Sequence, residues 1–542
     1  MPASCLLASA NSGLQLEIRE AFGSAARVDL IATDASTALS SEIIVTAPPE
    51  VILVLDAQLP RTANLPPDRE EKATLWLLQE LRARGIRRAA LVITSRPMGI
   101  SEIDEYCNPD NQAIALPQRR LEASILSGFV LMLRDPPKPS EPTWNVIEVE
   151  VKRTSAKCFI SGRDGRTIEW GEASTGYYSA VQRLALAYAK PDFKQGWARR
   201  IHDDGALLFR ELIISTLGPG LFSHLELAAG GLEKLAFRFR VDDTALYSAP
   251  FEATVRLSGQ PVSGTEDDFN QSPFVLVNAP ITRRMKGISL RKAATEKSVP
   301  RPAQLLFIRA QVGENPAGMT GSDTVAVPEM DPAMGRTRIK HVEFRRLENI
   351  DRELEDLKAL QARNPKIFSL EELDLSQERD LAGAETVLMR KLIGGRFDVV
   401  HFAGHSLTTK DSLTLLVLPG EHPGEAEGMA VQTFADGAAA AGARLVYFSS
   451  CQGSSANTVA SLGQRNVPHV LGFRWDVEDD RAADFAKLFY GELFGPRAGT
   501  ICGAFRTACR GVYQPKRVEA SPIWASPILA SRSDDWMAQC VL

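Results

Sequence analysis

The sequence predicts an α/β protein with two doubly wound segments and a small β-rich piece between them. Three observations carry this. Short apolar runs alternate with amphipathic helical stretches over residues 1–135 and again toward the C-terminus, the pattern of parallel sheets covered on both faces. A proline-rich stretch, "RDPPKPSEPTW" (134–144), interrupts the first alternation. The chain has 542 residues, too many for one ordinary core. We divide it into residues 1–135, 136–192, 193–300 and 301–542.

In the first segment "SCLLASA" is a short apolar run and "LQLEIREAFG" has helical spacing with a glycine stop. "EVILVLDAQLP" is a strand ending at Asp56, and "REEKATLWLLQELRARG" is an amphipathic helix ending at Gly85. "RRAALVITSRP" is a second buried strand, and "RRLEASILSGFVLML" a closing helix. The order resembles a response-regulator receiver domain. Asp56 matches the phospho-acceptor position, and Thr94 or Ser95 the switch hydroxyl. The paired acidic residues that hold Mg²⁺ in receivers are replaced by "ASANSG", and Leu116 stands before Pro117 where receivers have lysine. A hard cation needs several oxygen ligands. The module is therefore read as receiver-like but degenerate, with Asp56 a vestigial phospho-acceptor or simply a strand-end aspartate.

After the proline-rich linker, Ile147, Val149 and Val151 alternate with Glu148, Glu150 and Lys152, a half-buried strand; "SGRDGR" supplies a hairpin turn before "TIEWGE". From residue 193 the helical "ARRIHDDGALLFRELI" leads to strands in "KLAFRFRVDD", "FVLVNAPITRR" and "AQLLFIRAQ". The next helix places Leu347, Ile350, Leu354 and Leu357 on one face. "KIFSLEELD", "FDVVHFAGH", "ARLVYFSSC" and "VPHVLGFRW" follow as strands, with helices through "ETVLMRKLIGG" and "AADFAKLFYGELF". Residues 314–338 and 418–428, rich in Gly, Pro and polar side chains, read as loops.

Composition gives no support to nucleic acid as a partner. Sixty-two basic against 67 acidic residues give a net charge of −5, and no segment is basic enough to argue for nucleic acid. No run approaches the roughly 20 apolar residues of a membrane helix. "MPASCLLASANSG" lacks the flanks of a signal peptide. The seven cysteines are scattered and lack metal-ligand spacing, which fits reduced thiols in the cytoplasm, with no metal and no cofactor expected.

Two strands end on reactive residues, "VVHFAGHSL" on His405 and "LVYFSSCQG" on Cys451. In open α/β sheets, chemistry gathers beyond the carboxyl ends of strands, and neighbouring strands joined by a right-handed crossover bring two such ends together. A thiolate attacks a carbonyl while a histidine protonates the leaving amine. Backbone N–H groups of Cys451 and of the residues flanking His405, Gly404 and Ser406, are candidates for an oxyanion hole. The alternative is core packing, since cysteine and histidine are often buried for structural reasons. His401 has the same strand parity as His405 but lies within the apolar run, where packing is the simpler role.

"VVHFAGHS", "LVYFSSCQGSS", "PHVLGFRWDVEDD" and "FAKLFYGEL", with "VDDTALYSAPFEA" and "VLVNAPITRR" upstream, resemble the CHAT family of caspase-like cysteine peptidases over roughly residues 200–535. The resemblance implies a caspase-like α/β domain in which a degenerate half precedes the catalytic half. His405 matches the catalytic histidine, Cys451 the nucleophile and His401 a companion histidine. Ser406 stands where the family commonly has glycine. "WDVEDD" is also similar to a motif of separases, so Asp479 and then Asp476 are the expected lining of a pocket for a basic P1 side chain. Asp480 and Asp484 have the simpler reading of acidic residues at a helix start.

The implied function is a regulated cytosolic endopeptidase that cuts a partner protein in bacterial defence or cell death, such as a gasdermin-like pore-former or a protease precursor. The N-terminal modules would receive the activating partner or signal. The competing expectations are a catalytically silent scaffold binding partner proteins, and a signalling adaptor switched at Asp56.

Overall fold

The computed structural model describes residues 3–531 with interruptions, the longest being 119–144, 257–273, 285–301, 314–321 and 514–520; residues 532–542 also lie outside it. The helix expected over 119–133 and the linker at 134–144 are thus outside the described residues. The chain forms two units, residues 1–180 with 207–237, and residues 181–206 with 238–542.

In the first unit β1 (Ala3–Ala8), β2 (Ala26–Ala32), β3 (Ile52–Asp56), β4 (Ala90–Thr94) and β5 (Ala113–Pro117) form one parallel sheet in the order β2-β1-β3-β4-β5. β3 and β4 are buried along their whole length, which is why they read as unbroken apolar runs. Helix Ser12–Phe22 starts where Asn11 Oδ1 accepts the Leu14 N–H and ends at Gly23. Helix Lys72–Ala83 buries Leu77, Leu78 and Leu81 against the sheet. This is the doubly wound order expected of a receiver-like module, and its chain reversal at β1/β3 is where such sheets bind ligands. β6 (Asn145–Val151), β7 (Ala156–Ser161) and β8 (Thr167–Glu172) then pair antiparallel. Ile147, Val149 and Val151 are buried, as their alternation predicts.

Helix Trp197–Leu208 and β9 (Leu235–Val241) lead into the second unit. Its strands are β10 (Ile281–Arg284), β11 (Ala303–Ala310), β12 (Ser322–Asp331), β13 (Arg336–Arg345), β14 (Phe368–Asp374) and β15 (Val399–Gly404). They continue with β16 (Ser406–Thr408), β17 (Thr414–Pro419), β18 (Ala426–Ala430), β19 (Leu445–Ser449), β20 (His469–Phe473) and β21 (Pro527–Ser531). The main sheet runs β14-β11-β15-β19-β20-β21-β10, parallel except for the β20–β21 pair. One face, with Val400, Phe402, Val446 and Phe448, packs on helices Gly383–Gly394 and Val431–Ala441. Those helices approach closely at Gly437, where a Cβ would lie 2.8 Å from Leu392 Cδ1. The other face carries Phe307, His401 and Tyr447, whose rings meet in register across three strands, the first pair tilted and the second edge-on. Fully burying side chains of this size contributes about 1.5–3 kcal/mol each, and β15 and β19 are buried along their whole length.

Three local expectations change. Residues 314–338, read as a loop, contain β12 and the start of β13, an antiparallel hairpin. Its period-two pattern (Val325, Val342 and Phe344 between polar neighbours) is masked in the sequence by the Gly- and Pro-rich residues around it. Residues 418–428 include the end of β17 and the start of β18 in a small antiparallel sheet with β16. "FVLVNAPITRR" is a helical turn, Val275–Asn278, before β10, because four residues of apolar run do not distinguish a buried turn from a strand.

Candidate active site

β15 and β19 are adjacent and parallel, with Ala403 opposite Ser449. His405 and Cys451 each lie two residues further on, at the carboxyl edge of the sheet. The chain order reverses between β11 and β15, so this edge is also a topological switch point. The two ends are joined directly: Ser406 Oγ donates a short hydrogen bond to the Cys451 carbonyl. Gly404 is needed where β15 passes β11, since a Cβ there would lie 2.9 Å from both the Cβ and the carbonyl oxygen of Ala310.

His405 and Cys451 are half-buried and make their hydrogen bonds elsewhere. His405 Nε2 is 2.7 Å from the Arg345 carbonyl oxygen, at the end of β13, and its ring lies 5.1 Å from that of Phe344. Burial lowers the His405 pKa, opposed by the Arg345 carbonyl and by the charge of Asp479. The Cys451 thiol donates weakly to the Val477 carbonyl, Sγ to oxygen 4.0 Å. Burial pushes its pKa up to about 11; the Val477 contact opposes this, while the carboxylates of Asp476 and Asp479 add to it. In this state the thiol is protonated at neutral pH and His405 is occupied.

Both expected pocket aspartates stand at this edge. Asp479 opens helix Asp479–Leu493, and its Oδ2 accepts from the Asn349 N–H at 2.7 Å and from Asn349 Nδ2 at 3.1 Å. Asp476 is exposed and within hydrogen-bonding reach of the Cys451 thiol. Asp480 lies in the first helical turn, as its position predicts, and Asp484 pairs with Arg352. His401 is fully buried, with Nδ1 2.9 Å from the Tyr490 hydroxyl and Nε2 3.2 Å from Glu353 Oε1.

Among the buried carboxylates that escaped the sequence reading are Glu353 and Glu252. Glu353 sits among Ile350, Leu354, Leu357 and Leu360 on the inner face of its helix; a glutamate within an apolar stripe was the available signal. Glu252, in "APFEA", accepts from Arg283 Nε and Nη2, both at 2.7 Å, and makes a short contact with Arg474 Nη2. It ties β10 and the end of β20 to one segment, and nothing in the sequence spacing announces the pairing.

In the first unit Asp56 Oδ2 accepts from Ser9 Oγ at 2.8 Å and Oδ1 from the Gln58 N–H at 2.9 Å, across the β1/β3 switch point. Burial raises the Asp56 pKa; these two bonds oppose it, and the charge of Glu71 adds to it. Thr94 Oγ1 donates to Glu71 Oε1 at 2.6 Å, while Ser95 Oγ accepts from Gln58. Glu71, buried with φ 63°, was not foreseen.

The second unit thus presents a parallel-rich sheet with a histidine and a cysteine at adjacent strand ends. The CHAT domain matches residues 208–532, more than half of the sequence, and the chain belongs to that family. Among solved structures it is similar to the Arg-specific cysteine proteinase gingipain R, with TM-score 0.36, 9% identity, and 75% of this chain and 80% of that chain covered. It is also similar to separase in the Saccharomyces cerevisiae separase–securin complex, with TM-score 0.33, 9% identity, and 78% of this chain and 32% of that chain covered. Comparison with curated proteins returns no match. Among the described residues, no single helix is long and apolar enough to cross a membrane.

Proposed function

We propose that this chain is a cysteine endopeptidase with Cys451 as nucleophile and His405 as its acid–base partner. The observation that carries the reading is the β15–β19 register, which pairs Ala403 with Ser449 and so brings the two strand ends that lead to His405 and Cys451 side by side. Cys451, deprotonated, adds to a peptide carbonyl; the C–N bond breaks as the imidazolium of His405 gives its proton to the amine. Water, losing a proton to His405, then releases the acid and the free thiol. The N–H groups of Cys451, Gly404 and Ser406 are the proposed donors to the oxyanion. A basic side chain at P1 suits the carboxylates beside the thiol, and of the two Asp476 is the more exposed. The substrate in this reading is a partner protein, a gasdermin-like pore-former or a protease precursor, cut in the cytoplasm during bacterial defence or cell death, with the N-terminal unit receiving the signal.

A raised thiol pKa and a histidine held by Arg345 favour a second reading, a silent scaffold, unless binding of an activator or substrate rearranges the edge. The deciding experiment incubates wild type, Cys451→Ala and His405→Ala with co-encoded proteins and maps any cut. Cleavage by wild type alone supports the peptidase. Equal cleavage by wild type and Cys451→Ala, or none with any partner, leaves the scaffold.

A further inference from the structure

Glu353 is a carboxylate in a place built for an apolar side chain. It is 3% exposed, on the buried face of helix Ile350–Arg363. Its Oε2 accepts from Ser449 Oγ at 3.0 Å, and its Oε1 lies 3.2 Å from Nε2 of His401, which in turn meets Tyr490. Ser449 ends β19 two residues before Cys451, and His401 lies in β15 four residues before His405. Alternation puts Ser449 and His401 on the sheet face opposite Phe402 and Phe448, each on the strand that leads to a reactive residue.

Burying a carboxylate costs several kcal/mol unless it is well partnered. Its partners come from two neighbouring strands, Ser449 of β19 and His401 of β15. A slip of β19 by one residue would turn Ser449 to the opposite face and put Phe448 or Ser450 in its place. The helix turn that presents Glu353 is itself anchored: Asn349 bonds Asp479, Asp351 pairs with Arg309 of β11 at 2.8 Å, and Arg352 pairs with Asp484.

We propose that Glu353 is a positioning residue, a single buried carboxylate that holds the ends of β15 and β19, which lead to His405 and Cys451, side by side. The proposal rests on the dyad reading above. Glu353 touches no substrate; it acts through Ser449 and His401.

The test uses the full chain carrying Ser449→Ala, Glu353→Gln or Glu353→Ala, with two probes. Iodoacetamide reports Cys451 by peptide mapping across pH, and an arginyl aminomethylcoumarin peptide, or a cleaved partner protein once found, reports turnover. Releasing the end of β19 admits water to the thiol, so Ser449→Ala should be alkylated about tenfold faster at pH 8, with an inflection lower than in wild type. Turnover should move the opposite way, kcat falling roughly ten- to a hundredfold with KM unchanged, as expected when reacting groups are misplaced. Glu353→Gln, which keeps its hydrogen-bonding reach, should fall between wild type and Glu353→Ala. An alkylation profile and kcat both at wild-type values in Ser449→Ala would overturn the proposal, as would a lowered melting temperature with those two unchanged. Should Glu353→Ala fail to fold, Ser449→Ala decides. If Cys451→Ala cleaves as wild type does, the peptidase reading falls, while the alkylation arm still judges Glu353.

Discussion

Alkylation of Cys451 by iodoacetamide, followed as a function of pH, should show how inert the resting thiol is. The ordinary thiol value is 9.0, and burial with Asp476 and Asp479 takes Cys451 to about 11. Two units mean about 100-fold less thiolate at pH 7. Intrinsic nucleophilicity rises with pKa by a Brønsted coefficient of about 0.4–0.5, returning about six- to tenfold over the same interval. Net reactivity at pH 7 should therefore be about ten- to sixteenfold below that of a free cysteine peptide. The rate should climb tenfold per pH unit to about pH 11, whereas a free thiol levels off near 9. Peptide mapping separates this site from Cys5, Cys107, Cys158, Cys502 and Cys509, all buried. Shielding lowers the whole curve without moving its inflection, so the inflection is the diagnostic quantity. A plateau at or below pH 9 would refute the electrostatic account of the resting site.

Glu252→Gln leaves two guanidiniums, Arg283 and Arg474, sharing a buried site without a counter-charge, and should cost about 3–5 kcal/mol in denaturant unfolding; a loss below about 1 kcal/mol would mean that the site relaxes or admits water. Asp56→Asn should raise the melting temperature at pH 7. The folded pKa of Asp56 lies above its ordinary 3.8, so the stability it adds is complete below that value and lost as pH rises through the folded value. At pH 7 the buried charge is a net cost, which asparagine removes, and the gain should shrink as pH falls toward 4; a lower melting temperature for Asp56→Asn at pH 7 would contradict this.

The strands were legible because burial on both faces leaves an unambiguous mark: β3, β4, β15, β19 and β20 are largely apolar runs of five or six residues that end on Asp56 and Thr94, or one or two residues before His405, Cys451 and Trp475. The positions of His405 and Cys451 near strand ends followed from that mark, whereas the adjacency of the two strands required the sheet order. Polar partnerships were not legible. Asn349 and Asp479 are 130 residues apart, and Glu252 and Arg474 are 222 apart, so no local pattern couples them. The β12–β13 hairpin was missed for a different reason. Its alternation is short and flanked by turn-forming residues, and the Arg345 carbonyl that occupies His405 is a main-chain group, which no side-chain motif can reveal.

Glu252 and Glu353 show one physical device used twice in the same sheet. Glu252 links β10 and the end of β20 through two arginines; Glu353 links β15 and β19 through a serine and a histidine. Neither is the most stabilising choice, since well-packed apolar side chains of similar volume often match or exceed a buried ion pair. Dispersion and hydrophobic burial are nearly indifferent to a small slide of one strand past another, because apolar atoms meet apolar atoms either way. A buried carboxylate is not indifferent: displaced from its donors it bears its desolvation cost without compensation. Charges in these positions exchange some stability for a single register. A register error of one residue at β19 would turn Ser449, two residues before Cys451, to the other face of the sheet.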